Sequence, residues 1–356
     1  MGYRIAIDTG GTFTDLVLAD EHGNVYLGKA PTTFDRIFNG IEGAFRMVAE
    51  QLAMSVAQVL AKSDLLIYGT THATNAIIEG KTAKTALLVT EGFPEILVLR
   101  EGGKTNPYDI GAPYPQPYIP RRLTFEIRER TDSEGPVVVS LDRSQASQVL
   151  QQLRKRGVEA VAVCFLWSPV NSTNEAAMGA LITEQLPGVP YTLSHELNPI
   201  IREYRPASSA AIDASLKPLI SAHLRQMEAD LRNAGFAGEL LVATSFGGVM
   251  HLEDVVERPI LLVKSGPSMA PVAGRNYGQA EVGQRDVIVC DTGGTSFDVS
   301  LVRDRVVKFT RETWLGERFT GHITGLASVD VASIGAGGGS LAWIDPERTD
   351  FLYQAE

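Results

Sequence analysis

One pattern of twelve residues occurs twice in this chain, near its beginning and near its end. The copies are Arg4-Ile-Ala-Ile-Asp-Thr-Gly-Gly-Thr-Phe-Thr-Asp15 and Val287-Ile-Val-Cys-Asp-Thr-Gly-Gly-Thr-Ser-Phe-Asp298. In each copy an apolar run leads to Asp-Thr-Gly-Gly-Thr, and a second apolar run follows the last Asp. This order predicts a strand, a tight glycine turn and a second strand, with an acid at the tip of the first strand.

The residue types in these two hairpins suit the binding of phosphate. A Gly-Gly turn lets backbone N–H groups approach a phosphate closely because no Cβ stands in the way, and the threonine hydroxyls add donors. The strand-end acids, Asp8 and Asp291, are predicted to be catalytic and to hold Mg²⁺ directly or through water, since that ion takes oxygen ligands. The predicted phosphate-binding residues are Gly10, Gly11, Thr12, Thr14, Gly293, Gly294 and Thr295.

A simpler interpretation is that each copy is only a β-hairpin with a glycine turn. One copy alone would favour that interpretation. Two copies with the same acid, glycines and threonine favour a pair of hairpins that face each other and clamp a nucleotide polyphosphate between two domains.

The paired hairpins resemble the two phosphate loops of the actin, sugar kinase and Hsp70 ATPase superfamily. Four further segments resemble the hydantoinase A/5-oxoprolinase family, which also contains subunits of acetone and acetophenone carboxylases. These segments are Gly69-Thr-Thr-His-Ala-Thr-Asn-Ala76, Thr90-Glu-Gly-Phe93, Ser265-Gly-Pro267 and Ile334-Gly-Ala-Gly-Gly-Gly-Ser340. The resemblance runs over nearly the whole chain and is specific for the family, not for a substrate.

The resemblance implies an enzyme that uses ATP and Mg²⁺ to phosphorylate a carbonyl oxygen. In hydantoinases and oxoprolinases the activated group is a cyclic amide, which is then hydrolysed. In the ketone carboxylases it is the enol of a ketone, with bicarbonate as second substrate. A subunit that binds nucleotide without turnover, and a small-molecule kinase, are the alternatives.

Two further sets of candidate binding residues come from the segments that carry the resemblance. Thr70, Thr71 and Asn75 are predicted to line the cleft beside the phosphate loops; the alternative is a helix cap, where Thr and Asn are favoured. Gly337 and Gly338 are predicted to allow a close backbone approach, either to the nucleotide or to the neighbouring domain.

The resemblance and the alternation of strand and helix patterns predict an α/β fold of the actin-like, two-domain type. We expect a first domain over residues 1–200 and the start of a second, incomplete domain over 201–356. The second sheet is expected to lack later strands and helices, and the adenosine-binding Gly-Gly loop of the wider superfamily is not seen. The chain is therefore expected to form an oligomer or to need a hydantoinase B-like second subunit.

Composition limits the partners. The formal net charge of −10 argues against general binding to nucleic acid or to an anionic membrane. No apolar run approaches the length of a membrane span. Cys164 and Cys290 both lie in apolar runs and are predicted to be buried core residues, which fits a reducing compartment. With no visible leader sequence, a cytoplasmic location is expected.

Overall fold

The computed structural model describes residues 2–33, 36–102, 104, 106, 108–283, 285–293, 296–344 and 351–355. The strands among them are β1 Tyr3–Thr9, β2 Phe13–Ala19, β3 Val25–Pro31, β4 Ser63–Thr70, β5 Thr85–Thr90, β6 Thr124–Ile127, β7 Arg130–Thr131, β8 Val137–Val139, β9 Ala160–Cys164, β10 Tyr191–Leu193, β11 Glu239–Ala243, β12 Val249–His251, β13 Val287–Thr292, β14 Phe297–Arg303, β15 Val306–Val307, β16 Phe309–Thr310, β17 Trp314–Leu315, β18 His322–Ile323, β19 Ser328–Val329, β20 Val331–Ile334, β21 Ser340–Ile344 and β22 Phe351–Ala355. The α-helices are α1 Ile37–Gln51, α2 Val56–Ala61, α3 His72–Ile78, α4 Ile96–Leu99, α5 Arg143–Lys155, α6 Thr173–Gln185, α7 Ser194–Leu197, α8 Tyr204–Asn233, α9 Leu252–Glu257 and α10 Ser265–Val282.

The first sheet has six strands in the order β12-β11-β4-β1-β2-β3. Strands β1 and β2 form the antiparallel hairpin predicted from the first copy of the pattern, and β4 runs parallel to β1. Alternate residues of the hairpin, such as Ile5, Ile7, Leu16 and Leu18, are buried in one core. This period of two explains why the sequence forms strands here.

The second sheet has four parallel strands in the order β10-β9-β5-β6. Every residue of β9 is buried, as expected for a parallel strand covered on both faces. Helix α8 joins this sheet to the first. Its Ile212 and Leu216 belong to the core of the first sheet, whereas Ala207 and Ala211 belong to the core of the second. Helix α8 continues through Pro218.

The third sheet contains the second copy of the pattern, as the hairpin of β13 and β14, with β15 and β20 also pairing with β14. One face of this sheet packs against α10. The other face leaves large apolar side chains in contact with solvent: Ile288 is 70% exposed and Leu301 is 45% exposed. Cys290 lies exposed in β13, so the prediction that it is a core residue was wrong, whereas Cys164 is buried as predicted.

The domain division at residues 200 and 201 stays a prediction. Strands β11 and β12 follow that division in the sequence, yet they complete one edge of the first sheet through the pairing of β11 with β4. The first sheet therefore contains chain from both sides of the predicted boundary. In the described part of the chain, no helix is both long enough and apolar enough to cross a bilayer.

Candidate functional site

The two hairpins have the same register. Asp8 pairs with Asp15 across the first hairpin, and Asp291 pairs with Asp298 across the second. In each hairpin the acid at the end of the first strand is thus opposite the acid that begins the return strand. The duplication in sequence is therefore also a duplication of backbone geometry.

The turns of the hairpins are closed by the same backbone hydrogen bond. The N–H of Gly10 donates to the carbonyl of Phe13 at 3.0 Å, and the N–H of Gly293 donates to the carbonyl of Ser296 at 2.9 Å. In the first hairpin this leaves the tip of the turn, with Gly11, exposed. The matching residues of the second tip, Gly294 and Thr295, lie outside the described residues, and their predicted role stays a prediction.

Thr32 holds the first turn in place from the neighbouring strand end. Its N–H donates to the carbonyl of Thr12 at 3.0 Å, and its hydroxyl donates to the carbonyl of Gly10 at 3.0 Å. The hydroxyls of Thr14 and Thr32 are 3.1 Å apart, and Thr14 is fully buried. Of the predicted phosphate binders in this turn, Gly11 and Thr12 are exposed, whereas Thr14 points inward and bonds within the hairpin.

The carboxyl groups of the two hairpins are close enough to affect each other. Burial among protein atoms raises the pKa of Asp8, although one side of the residue is open to solvent, and repulsion from Asp15 and Asp291 raises it further. Asp15 itself pairs with Lys29 at 2.6 Å. Asp8 and Asp291 lie on different sheets but close enough to repel each other, as expected for hairpins that face one cleft.

The end of β4 supports the first hairpin. Asp8 pairs with Gly69 in the sheet, and a Cβ at Gly69 would stand 3.1 Å from Oδ1 of Asp8. The glycine thus leaves space for the carboxylate. The N–H of Thr71 donates to the carbonyl of Thr9 at 3.3 Å, which ties the start of α3 to the end of β1.

The predicted residues Thr70, Thr71 and Asn75 lie beside this hairpin. Thr71 is at the N-cap of α3 but its side chain makes no capping bond; its hydroxyl accepts a hydrogen bond from the Asn75 amide at 3.2 Å. The buried Thr70 hydroxyl instead accepts the N–H of His72 at 3.2 Å. The N-cap residue therefore does not cap α3 with its side chain, and a direct role of Thr70, Thr71 or Asn75 in binding stays a prediction.

The glycine segment near the end of the chain contacts the second hairpin. The N–H of Gly338 donates to the carbonyl of Gly293 at 2.9 Å, and the N–H of Gly337 donates to the hydroxyl of Ser340 at 2.9 Å. Gly338 thus contacts the second hairpin, and the predicted approach of Gly337 and Gly338 to the nucleotide or to the neighbouring domain stays a prediction.

A buried polar cluster beside the site was not predicted. The Tyr68 hydroxyl lies 3.0 Å from Nε2 of His223. The rings of His223 and His72 are in contact, with centroids 4.6 Å apart and planes tilted by 35°. Burial lowers the pKa of His223 to about 4 and raises the pKa of Tyr68 to about 12, so both are uncharged at neutral pH. The sequence signal for Tyr68 was its position directly before the Gly-Thr-Thr segment; His223 had none.

The carboxylates of the cleft suit a magnesium ion that completes its coordination with water and phosphate. Among the described residues no three His, Cys, Asp or Glu side chains come together as a ready metal site. Mg²⁺ does not require one, because it keeps several waters and binds through one or two carboxylates. A cation between Asp8 and Asp291 would relieve the repulsion that raises the pKa of Asp8.

Comparison with known families matches both halves of the chain. Residues 4–186 match the hydantoinase/oxoprolinase N-terminal region, and residues 206–351 match the hydantoinase/oxoprolinase family.

Similar proteins and a solved structure give the same result. The chain is 35% identical to the caprolactamase subunit alpha of Pseudomonas jessenii and 30% identical to the acetophenone carboxylase gamma subunit of Aromatoleum aromaticum, over 96% and 97% of its length. The structure of the ATP-dependent caprolactamase from Pseudomonas jessenii superposes on 96% of the chain with a TM-score of 0.86 and 34% identity. The predicted α/β fold is confirmed. The chain spans about half the length of these relatives, 49% and 48%.

Proposed function

The chain belongs to the hydantoinase/oxoprolinase family, and we propose that it binds ATP between its two glycine hairpins and uses it to phosphorylate a carbonyl oxygen. One observation supports this proposal: hairpins of identical register lie on different sheets, and Asp291 is close enough to Asp8 to raise its pKa. Phosphoryl transfer needs mainly positioning and the neutralisation of charge. A pair of hairpins with exposed turns and facing carboxylates can supply both.

In this proposal Asp8 and Asp291 hold Mg²⁺, and exposed backbone donors hold the phosphates. The N–H groups of Gly11 and Thr12 have no acceptor among the described residues, so they are free to donate to phosphate oxygens. Gly294 and Thr295 would do the same from the second hairpin. When bound, the metal would neutralise charge on the phosphates and orient them for transfer.

We propose a cyclic amide as the acceptor, because the chain resembles a caprolactamase subunit at 35% identity over almost its full length. The activated amide would then be hydrolysed. A ketone acceptor with bicarbonate is the second candidate, since the chain is 30% identical to an acetophenone carboxylase subunit.

We also propose that a second, hydantoinase B-like subunit completes the enzyme. Both relatives are named as subunits. The third sheet offers a surface for association, because Ile288, Leu301 and Ile334 leave it exposed and apolar. Contiguous exposed apolar surface of this kind marks interaction sites.

The test is ATP turnover by the purified chain, alone and with the candidate second subunit. Release of ADP would be measured with caprolactam, hydantoin or 5-oxoproline, and separately with acetophenone and bicarbonate. ADP release that depends on a cyclic amide supports the first candidate, and release that depends on both ketone and bicarbonate supports the second. If the chain binds nucleotide but shows no turnover under any of these conditions, the result would support the alternative of a non-catalytic nucleotide-binding subunit.

A further inference from the structure

We propose that the ammonium group of Lys264 binds the phosphoryl group that is transferred in the cleft between the hairpins, which makes Lys264 a catalytic residue. This inference rests on the proposed function and adds a residue to it. Lys264 directly precedes α10. It belongs to neither hairpin, and the proposed function gives its segment no role.

Hydrogen bonds hold the backbone of Lys264 beside the first hairpin. Its N–H donates to the hydroxyl of Thr74 in α3 at 3.0 Å, and the next residue, Ser265, donates from its hydroxyl to the carbonyl of Thr70 at 3.4 Å. Thr70 pairs with Thr9 at the end of β1. Lys264 therefore lies next to the strand end that carries Asp8.

The helix that follows Lys264, α10, packs against the second hairpin. A Cβ at Gly274 would stand 2.3 Å from Val289, and a Cβ at Gly278 would stand 2.6 Å from Val287. The two glycines thus let α10 lie directly on β13. The segment formed by Lys264 and α10 therefore contacts β4 at its beginning and β13 farther along the helix. Lys264 thus lies at the junction of the two hairpins.

The charge of Lys264 has no close partner among the residues that the structure describes. Its ammonium group makes no hydrogen bond or ion pair with any residue that the structure describes, although Asp298 attracts it from a distance and burial lowers its pKa. By contrast, the largely buried Lys217 ammonium donates to the Tyr191 carbonyl at 2.7 Å. Half-buried charges are normally paired, so Lys264 suits an anion that enters the cleft.

The backbone conformation also sets Lys264 apart. Its φ of +59° lies in the left-handed region, which residues other than glycine and asparagine adopt at a cost. Glycine would relieve this strain but would remove the charge. A strained backbone at a cleft is typical of residues whose side chain is used there.

The proposed phosphoryl transfer requires no proton from Lys264. The bond between the terminal phosphorus of ATP and its bridging oxygen breaks, and the electron pair stays on ADP. A lone pair of the carbonyl oxygen of the cyclic amide forms the new bond to phosphorus, and the amide N–H proton passes to water, so no positive charge remains on the acceptor nitrogen. Lys264 remains an ammonium ion throughout and stabilises the charge on the oxygens of the phosphoryl group.

The test compares Lys264→Met, Lys264→Arg and Lys264→Gly with the unchanged chain, together with any second subunit that turnover requires. Calorimetric titration with Mg-ATP and Mg-ADP measures the binding of nucleotide, and ADP release measures turnover. We expect Lys264→Met to lose turnover by about 100-fold or more, as on removal of one transition-state donor. Binding of Mg-ATP should weaken far more than binding of Mg-ADP, and Lys264→Arg should restore part of the activity.

Matched variants separate chemistry from folding. Lys264→Gly suits the left-handed backbone and should stay folded while it loses turnover as Lys264→Met does; the exposed Lys155→Met in α5 should behave like the unchanged chain. Equal turnover in Lys264→Met and the unchanged chain, or equal weakening of ATP and ADP binding together with a lowered melting temperature, would overturn the role of Lys264. An unchanged chain that binds no nucleotide would instead overturn the proposed function.

Discussion

Gly69 makes room for the carboxylate of Asp8: a Cβ at Gly69 would stand 3.1 Å from Oδ1 of Asp8, its partner across β4 and β1. At this distance an added methyl group requires the carboxylate to move by a few tenths of an ångström. The identity of residue 69 and the position of the proposed metal ligand are therefore coupled.

We expect Gly69→Ala to reduce ATP turnover by about tenfold, because small misplacements of catalytic groups have large effects on rate. The melting temperature should change little, since the added methyl group is closer than ordinary contact only to the Asp8 carboxylate, and it would stand 3.5 Å from the Ile7 carbonyl. Gly248→Ala is the matched control, because a Cβ there meets nothing within 4 Å. Full activity of Gly69→Ala would show that the position of Asp8 is not critical.

Asp291→Asn is expected to abolish ATP turnover while the protein stays folded. Loss of this charge weakens the hold on Mg²⁺, and an electrostatic contribution of this kind is worth about 3–4 kcal/mol. Steady-state ADP release in the complete enzyme is the measurement. Asp304→Asn, at an exposed residue in the turn between β14 and β15, serves as the control. Unchanged turnover in Asp291→Asn would remove Asp291 from the mechanism.

Much of this site follows from the sequence alone. Both hairpins form as predicted, because apolar runs on either side of a Gly-Gly turn leave few other conformations. Helix α10 was not predicted, since Pro267, Pro271 and its glycines argue against a helix in isolation; packing on β13 outweighs that propensity. Lys264 was missed for the same reason, because its place depends on this helix.

The burial of the strands was less predictable from the sequence than their positions. An apolar run such as Val287–Cys290 normally indicates a covered strand, but in β13 only the face toward α10 is covered. Whether the second face is covered depends on elements that are distant in the chain or belong to a partner. Sequence periodicity does not contain that information.

Asp8→Asn is expected to stabilise the fold at pH 7 while it removes activity. The pKa of Asp8 is raised from its ordinary value of 3.8, mainly by burial and then by Asp15 and Asp291. The stability associated with the protonated acid is present below pH 3.8 and is lost as the pH rises through the raised pKa. Melting temperatures in EDTA should be higher for Asp8→Asn at pH 7, and the difference should shrink as the pH falls. A lower melting temperature at pH 7 would contradict the assigned repulsion.

His223 is expected to make the fold sensitive to mild acid. Its pKa is lowered to about 4 by burial and by the neighbouring His72, so the folded state resists its protonation. Stability should therefore fall as the pH drops from 6.5 toward about 4. His223→Gln can keep a hydrogen bond to Tyr68 without titrating and should lose less stability over this range. His22→Gln, at an exposed histidine, is the control and should follow the unchanged chain.

The open face of the third sheet is expected to drive association. Ile288, Leu301 and Ile334 are 70%, 45% and 48% exposed on strands that pair with one another, and an uncovered apolar sheet face is a site of association. Sedimentation of the purified chain should therefore show species larger than the 38.4 kDa monomer, or a stable complex when the second subunit is present. Leu301→Lys places a charge on this face and should weaken the association. Val138→Lys, at a residue that is 62% exposed on β8, should have no effect. A monodisperse monomer that binds Mg-ATP tightly and turns over a cyclic amide or a ketone without any partner would show that this face needs no cover.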